Sequence, residues 1–264
     1  MYMNYSNLDL EQLPNIPDNC KFLSCDCNKL TELQKLPPNL EELYCSYNNL
    51  TSLPKLPKTL KKIYCFANKL TKLPKLPPKL EILSCSDNYL KELPKLPNTL
   101  KELIISNNDI EYLNILPPNL IQLSCAYNPI YYIPKLPSKL EWLDCMNCEI
   151  VELPKLPNTL QYLDMYNNNL CEIPKLPESL NDVHVTNNYI YYINNIPKNI
   201  TELYLHGNSI NWLPLTKAYI KPTNIKLIHH IHIIKKLQRF YRYYKFSPFV
   251  KYNIGKYLYG KIKN

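Results

Sequence analysis

Leu40–Leu60 reads LEELYCSYNNLTSLPKLPKTL, and its skeleton returns when the sequence is shifted by twenty residues in either direction. The first half is L-x-x-L-x-C-x-x-N-x-L, with fixed posts at Leu40, Leu43, Cys45, Asn48 and Leu50. The second half, from Leu53 to Pro57, is L-P-K-L-P. The asparagine post recurs at Asn28, Asn48, Asn68, Asn88, Asn108, Asn128, Asn168, Asn188 and Asn208, with Cys148 standing in once. About ten copies follow one another without insertion or deletion, and self-similarity at this period predicts a solenoid of stacked coils.

Within a copy, Leu43 and Cys45 are apolar and Tyr44 between them is not required to be. That period of two marks a strand with one buried face. Parallel strands of successive copies stack roughly 4.8 Å apart, so about ten copies make an arc on the order of 45–50 Å long. The asparagine beyond each strand turns the chain; its amide can bond backbone groups left open there, and neighbouring asparagines can form a ladder. Two prolines per copy, as at Pro54 and Pro57, exclude an α-helix from the return leg and favour an extended, polyproline-like convex side. Leu53, Leu56 and Leu60 then close the core with Leu40, Leu43, Cys45 and Leu50. Each buried aliphatic side chain contributes about 1.5–3 kcal/mol, and no copy folds alone.

These posts resemble the leucine-rich repeat family, in particular its short class known from secreted bacterial effectors, whose L-P-x-L-P return leg matches residues 53–57 and its repeats. The resemblance covers roughly residues 8–215 and is shared with repeat proteins encoded by giant DNA viruses of amoebae. It implies a β-rich solenoid with a parallel concave sheet that binds proteins. Several such effectors also carry a ubiquitin-ligase domain with a nucleophilic cysteine. This chain has no cysteine after Cys171, so that activity is not carried over.

The ten cysteines fit a reducing compartment. Cys25, Cys45, Cys65, Cys85, Cys125 and Cys145 share one inward post with Ile105, Met165, Val185 and Leu205, so the position wants a small apolar group. Stacked thiols can also hold a soft metal, but no spacing matches a zinc knuckle, that of Cys25 and Cys27 included. Neither a signal peptide nor a membrane span is legible, and a cytoplasmic protein without a cofactor is expected.

Charge divides the chain. Residues 1–215 hold 19 basic and 22 acidic side chains, whereas residues 216–264 hold 12 basic and none acidic. Residues 1–17 are expected to be a truncated leading copy and cap, with Leu8, Leu10, Leu13 and Ile16 inward and the strand missing. The solenoid proper occupies 18–215. In 216–264, Ile228, Ile231, Ile234, Leu237, Tyr241 and Tyr244 recur every three or four residues, predicting an amphipathic helix. Its opposite face carries Lys226, Lys235, Lys236, Arg239, Arg242 and Lys245. This basic tail either covers the end of the core or grips an anionic partner, nucleic acid or lipid.

The exposed strand positions form the concave face. Its central column reads Ser24, Tyr44, Tyr64, Ser84, Ile104, Ser124, Asp144, Asp164, His184 and Tyr204. Trp142, Tyr162 and Asp182 flank it on one side, Tyr166 and His206 on the other. Aromatic side chains among acids are the chemistry of a protein interface. Adjacent Asp144 and Asp164 should raise one carboxyl pKa unless His184 or a cation compensates, and such a row can hold a divalent metal. It lies on an open face with no nucleophile beside it, which argues against an enzyme. The expected function is therefore a non-enzymatic scaffold binding a protein through Ile104, Trp142, Asp144, Tyr162, Asp164, Tyr166, Asp182, His184, Tyr204 and His206. The alternative is a nucleic-acid or anionic-membrane binder acting through the tail. Exposed lysines at Lys35, Lys55, Lys75, Lys95, Lys135, Lys155 and Lys175 make a solvated ridge on the return legs.

Overall fold

A computed structural model describes residues 1–210 of the chain. The helix and basic face expected within 216–264, with Lys226, Lys235, Lys236, Arg239, Arg242 and Lys245, lie outside the described residues. Eleven three-residue strands are formed: Tyr2–Asn4 (β1), Phe22–Ser24 (β2), Glu42–Tyr44 (β3), Lys62–Tyr64 (β4), Ile82–Ser84 (β5), Glu102–Ile104 (β6), Gln122–Ser124 (β7), Trp142–Asp144 (β8), Tyr162–Asp164 (β9), Asp182–His184 (β10) and Glu202–Tyr204 (β11). They build one parallel sheet in sequence order. Each residue pairs with the one twenty positions on, as Leu43 does with Ile63. Constant coil length fixes this register, because a slip of one residue would turn every buried strand centre to solvent.

The core is one continuous column of side chains. Leu23, Leu43, Ile63, Leu83, Leu103, Leu123, Leu143 and Leu163 sit at the strand centres with no exposed surface. The six cysteines at the shared inward post are equally buried and unbridged, whereas Cys27 is exposed. Burial pushes the Cys25 and Cys65 thiols up to about 12, which makes them inert aliphatic substitutes. The return legs carry no helix among the described residues, and each re-enters the sheet through a β-turn. The turn before β3 is closed by the Leu40 N–H donating to the Pro37 carbonyl at 3.2 Å.

Asparagine does more than turn the chain. Asn48 donates its amide to the carbonyls of Cys25, Cys45 and Ser46, and its Oδ1 accepts the N–H of Leu30. The expected ladder exists, but its rungs run from side chain to backbone rather than between asparagines. One amide thus bonds backbone groups of two coils; the carbonyls share it with other donors, but an apolar side chain would leave the buried Leu30 N–H unpaired at about 1–3 kcal/mol. The sharp bend itself belongs to the preceding residue. Cys27, Tyr47, Ala67, Asp87, Asn107, Tyr127, Asn147, Asn167 and Asn187 all have φ between 50° and 55°. A side chain there costs roughly 1–2 kcal/mol, so the stack imposes the conformation on residues that would not choose it. Gly207 is the exception, and a Cβ at that position would collide with Oδ1 of Asn187.

The leading segment departs from expectation. Residues 1–17 do contain a strand: β1 pairs with β2, Met3 lying beside Leu23. Met3 and Tyr5 pack at the inward posts, and these larger residues obscure the pattern in sequence. Leu8 is not inward but 56% exposed, although it falls at the post that asparagine fills, buried, in later coils.

Candidate functional site

Because strands repeat at twenty residues, side chains of like position form rows across the concave sheet. One aromatic row spans β1 to β4. Tyr2 stacks on Phe22 with centroids 4.1 Å apart, and Tyr44 stacks on Tyr64 at 4.7 Å. The small residues Ser84 and Ser124 and the half-buried Ile104 interrupt it. A second row then spans β8 to β11. Trp142 stacks on Tyr162 at 3.6 Å and 8°, and His184 meets Tyr204 edge-on at 4.3 Å.

Among the expected site residues, Trp142 and His206 are exposed, and Ile104, Asp144, Tyr162, Tyr166, Asp182, His184 and Tyr204 are half-buried. Asp164 is not available to a partner, with only 5% of its surface exposed. It accepts hydrogen bonds from the Tyr162 hydroxyl at 3.2 Å and the Tyr166 amide at 2.9 Å, and lies 3.4 Å from Nδ1 of His184. Its larger neighbours close over it, and it holds the Tyr162 hydroxyl, the His184 ring and the Tyr166 backbone rather than contacting solvent. Ser24, Ser84 and Ser124, placed by sequence on the same outward column, are buried for the same reason. His206 approaches the Thr186 hydroxyl at 3.3 Å, apart from the main row.

Asp144 is held by the Ser124 hydroxyl at 2.8 Å and the Met146 amide at 3.2 Å. Burial pushes its carboxyl above the usual range, with the Asp164 charge a smaller contribution, as the adjacency of two acids suggested. Burial likewise raises the Tyr162 hydroxyl, which the Asp164 charge reinforces. The Tyr204 hydroxyl donates to Glu202 at 2.7 Å. No cluster of three or more His, Cys, Asp or Glu side chains suited to a metal occurs among the described residues.

Beside Trp142 the sheet edge opens into a groove of about 280 Å³, lined by Ile121, Gln122, Glu141, Trp142, Gln161, Tyr162, Asn181 and Asp182. The sequence reading did not single out Glu141, Gln122, Gln161 or Asn181. The signal was present in the first position of each coil, where Lys21, Glu41, Lys61, Glu81 and Lys101 alternate in sign before Ile121, Glu141, Gln161 and Asn181 end the alternation. Glu41 is paired with Lys21 at 3.0 Å and Lys61 at 2.6 Å, and Glu81 with Lys101 at 2.7 Å. Glu141, between Ile121 and Gln161, has only the Gln161 amide at 3.4 Å.

Comparisons with known proteins agree with this geometry. Models of leucine-rich repeats match residues 38–78, as a two-copy unit, and residues 159–183. The leucine-rich effector YopM of Yersinia pestis superposes with a TM-score of 0.68 at 27% identity, over 81% of this chain and 80% of that one. YopM of Yersinia enterocolitica gives 0.62 at 32% identity; the match covers 81% of this chain but only 57% of YopM. The repeat domain of a Shigella effector gives 0.52 at 33% identity, over 64% of this chain and 70% of that domain. A search of curated proteins finds no match. The chain belongs to the leucine-rich repeat family, whose fold generally mediates protein–protein interaction, and it is similar to bacterial effectors of that family. No helix among the described residues is long and apolar enough to cross a membrane.

Proposed function

We propose that the protein is a non-enzymatic scaffold that binds a protein partner on the concave face of β8 to β11. The observation that carries this reading is the row of Trp142, Tyr162, His184 and Tyr204, joined ring to ring on an open sheet and fringed by Asp182 and Glu202. Rigid aromatic side chains give large contact area at little entropic cost, which is how the centres of interfaces are built. Asp164 serves the surface from beneath by fixing Tyr162, Tyr166 and His184. A shallow, solvated face favours recognition over turnover, since chemistry needs an enclosed site. The cytoplasm, where the thiol column stays reduced, is the compartment in which it acts.

The test is affinity capture with the full chain and with Trp142→Ala/Tyr162→Ala, both monitored for folding by circular dichroism. Capture should fall by about tenfold or more, because central aromatic anchors carry most of the binding energy. Undiminished recovery of the same partner from a folded variant removes the concave face from consideration. Residues 216–264, with 12 basic and no acidic side chains, supply a second reading as a polyanion-binding segment. It is checked by steep salt dependence of nucleic-acid or anionic-vesicle binding that disappears when Lys235, Lys236, Arg239 and Arg242 become Gln.

A further inference from the structure

The groove beside Trp142 has a composition that specifies what enters it. Two carboxylates, Glu141 and Asp182, line it together with three side-chain amides, and no cationic residue does. Trp142 is 41% exposed, stacks on Tyr162, and has the non-aromatic Gln122 as its register partner on the neighbouring strand, so no second ring stacks on it from that side. An indole face attracts a cation through its quadrupole, and guanidinium stacks on it better than ammonium. Elsewhere at this position of the coil the carboxylates are already occupied by the chain's own lysines, as Glu41 and Glu81 are. Among the described residues no ion pair joins a lysine to Glu141 or Asp182, whose polar partners are the Gln161 amide and the Thr201 hydroxyl, so these acids are left for charge supplied from outside. The same acids repel phosphate, which separates this surface from any polyanion-binding role of the tail.

We infer that the groove is a docking site for a basic segment of a protein partner. One arginine lies on the open face of Trp142 within reach of Glu141, and a neighbouring cationic side chain meets Asp182. This assignment rests on the concave-face reading and adds to it the chemistry of the partner.

The experiment uses the full chain carrying Trp212→Phe, which leaves Trp142 as the sole tryptophan, because the sequence contains two. Its emission is titrated with an arginine-rich peptide separated by glycine and serine, and with matched peptides bearing lysine or citrulline. The arginine peptide should perturb Trp142 saturably and bind less tightly as salt rises. Citrulline in place of arginine, or Glu141→Gln/Asp182→Asn in the protein, should weaken binding by about tenfold or more. Equal binding of the citrulline peptide, or undiminished binding to the charge-neutral variant, overturns the inference. If the arginine peptide binds only after Lys226, Lys235, Lys236, Arg239, Arg242 and Lys245 are changed to Gln, the chain's own tail fills the groove and the assignment to a partner is overturned. The two levels of reading separate cleanly. Loss of capture on Trp142→Ala/Tyr162→Ala without any preference for arginine retires the groove's chemistry alone, whereas unchanged capture retires the concave surface with it.

Discussion

The coils of residues 21–110 and those of residues 121–210 share one backbone and differ in how their polar groups are closed. In the first set the asparagine post is filled in every coil, and Lys21, Glu41, Lys61, Glu81 and Lys101 alternate in charge across neighbouring strands. Glu42 is also paired with Lys62 at 3.1 Å. In the second set Cys148 interrupts the asparagines, and Asp144, Asp164, Asp182 and Glu202 crowd the concave face, with His184 beside Asp164 and Glu202. Exposed ion pairs are worth little to stability, with a median of about 0–1 kcal/mol. What the pairs of the first set remove is therefore free surface charge more than free energy of unfolding. In the second set Asp164 is closed over, but Glu141 and Asp182 stay without a lysine partner among the described residues, and that is where a partner of opposite sign gains most.

The asparagine posts offer the sharpest way to break the comparison. Asn88 donates to the carbonyls of Cys65, Cys85 and Ser86 and accepts the N–H of Leu70. Asn88→Ala leaves the Leu70 N–H unpaired in the core, whereas the Cys65, Cys85 and Ser86 carbonyls keep Asn68, Asn108 and the Ala67 N–H as donors; the cost is about 2 kcal/mol. Urea denaturation should show a correspondingly lower midpoint. A loss well under half of that would mean that water or a shifted backbone replaces the side chain, and that the ladder is not what ties the coils together.

The reverse substitution should make the two sets more alike. Cys148 donates weakly, its Sγ lying 3.4 Å from the Cys125 carbonyl and 3.7 Å from that of Met146. It supplies no counterpart to the Asn128 and Asn168 side-chain oxygens, which accept the N–H groups of Ile110 and Ile150. Cys148→Asn gives Ile130 N–H that acceptor, and a gain of about 1 kcal/mol in the same denaturation measurement is expected. Destabilisation would show that the contact of Cys125 Sγ with Cys145 Sγ at 3.2 Å has packed this coil around the smaller side chain.

How much of this was legible depends on whether a feature repeats. The sheet, its register, the buried thiol column and the backbone-bonding asparagines follow from period alone, since ten near-copies leave one arrangement in which like posts coincide. Features that depend on unlike neighbours did not come through. Asp164 looks outward on its own strand, and it is buried among the side chains of Tyr162 and His184 and the backbone of Tyr166. The left-handed bend at Tyr47, Ala67 and Tyr127 has no local signature, because these residues take it under constraint from the stack rather than by preference. The groove at Glu141 was hidden because attention fell on the strand centres, whereas the break in charge alternation lies at the first position of each coil. The β1 strand was missed because Met3 and Tyr5 replace the usual Leu and Cys.

The smallest effect is also the one that separates the two regions most directly, since acid acts on them with opposite sign. The lysines at 61 and 21 hold Glu41 down to about 2, below its ordinary 4.5. A depressed carboxyl adds stability that is present above the ordinary value and fades as pH falls from there toward about 2. Asp144 is shifted the other way by burial, above its ordinary 3.8, so its ionised form opposes folding near neutrality. That opposition is relieved as pH falls through the raised value and is gone below 3.8. Amide hydrogen exchange, corrected for intrinsic rate and followed from neutral pH downward, should therefore show protection at Trp142–Asp144 holding or rising first. Protection at Glu42–Tyr44 should stay level until the ordinary carboxylate range and then decline. A parallel decline of both segments from neutrality would mean that the carboxylates of β8 and β9 are stabilised by partners within the chain, and the contrast between balanced and open halves would then fail at its electrostatic root.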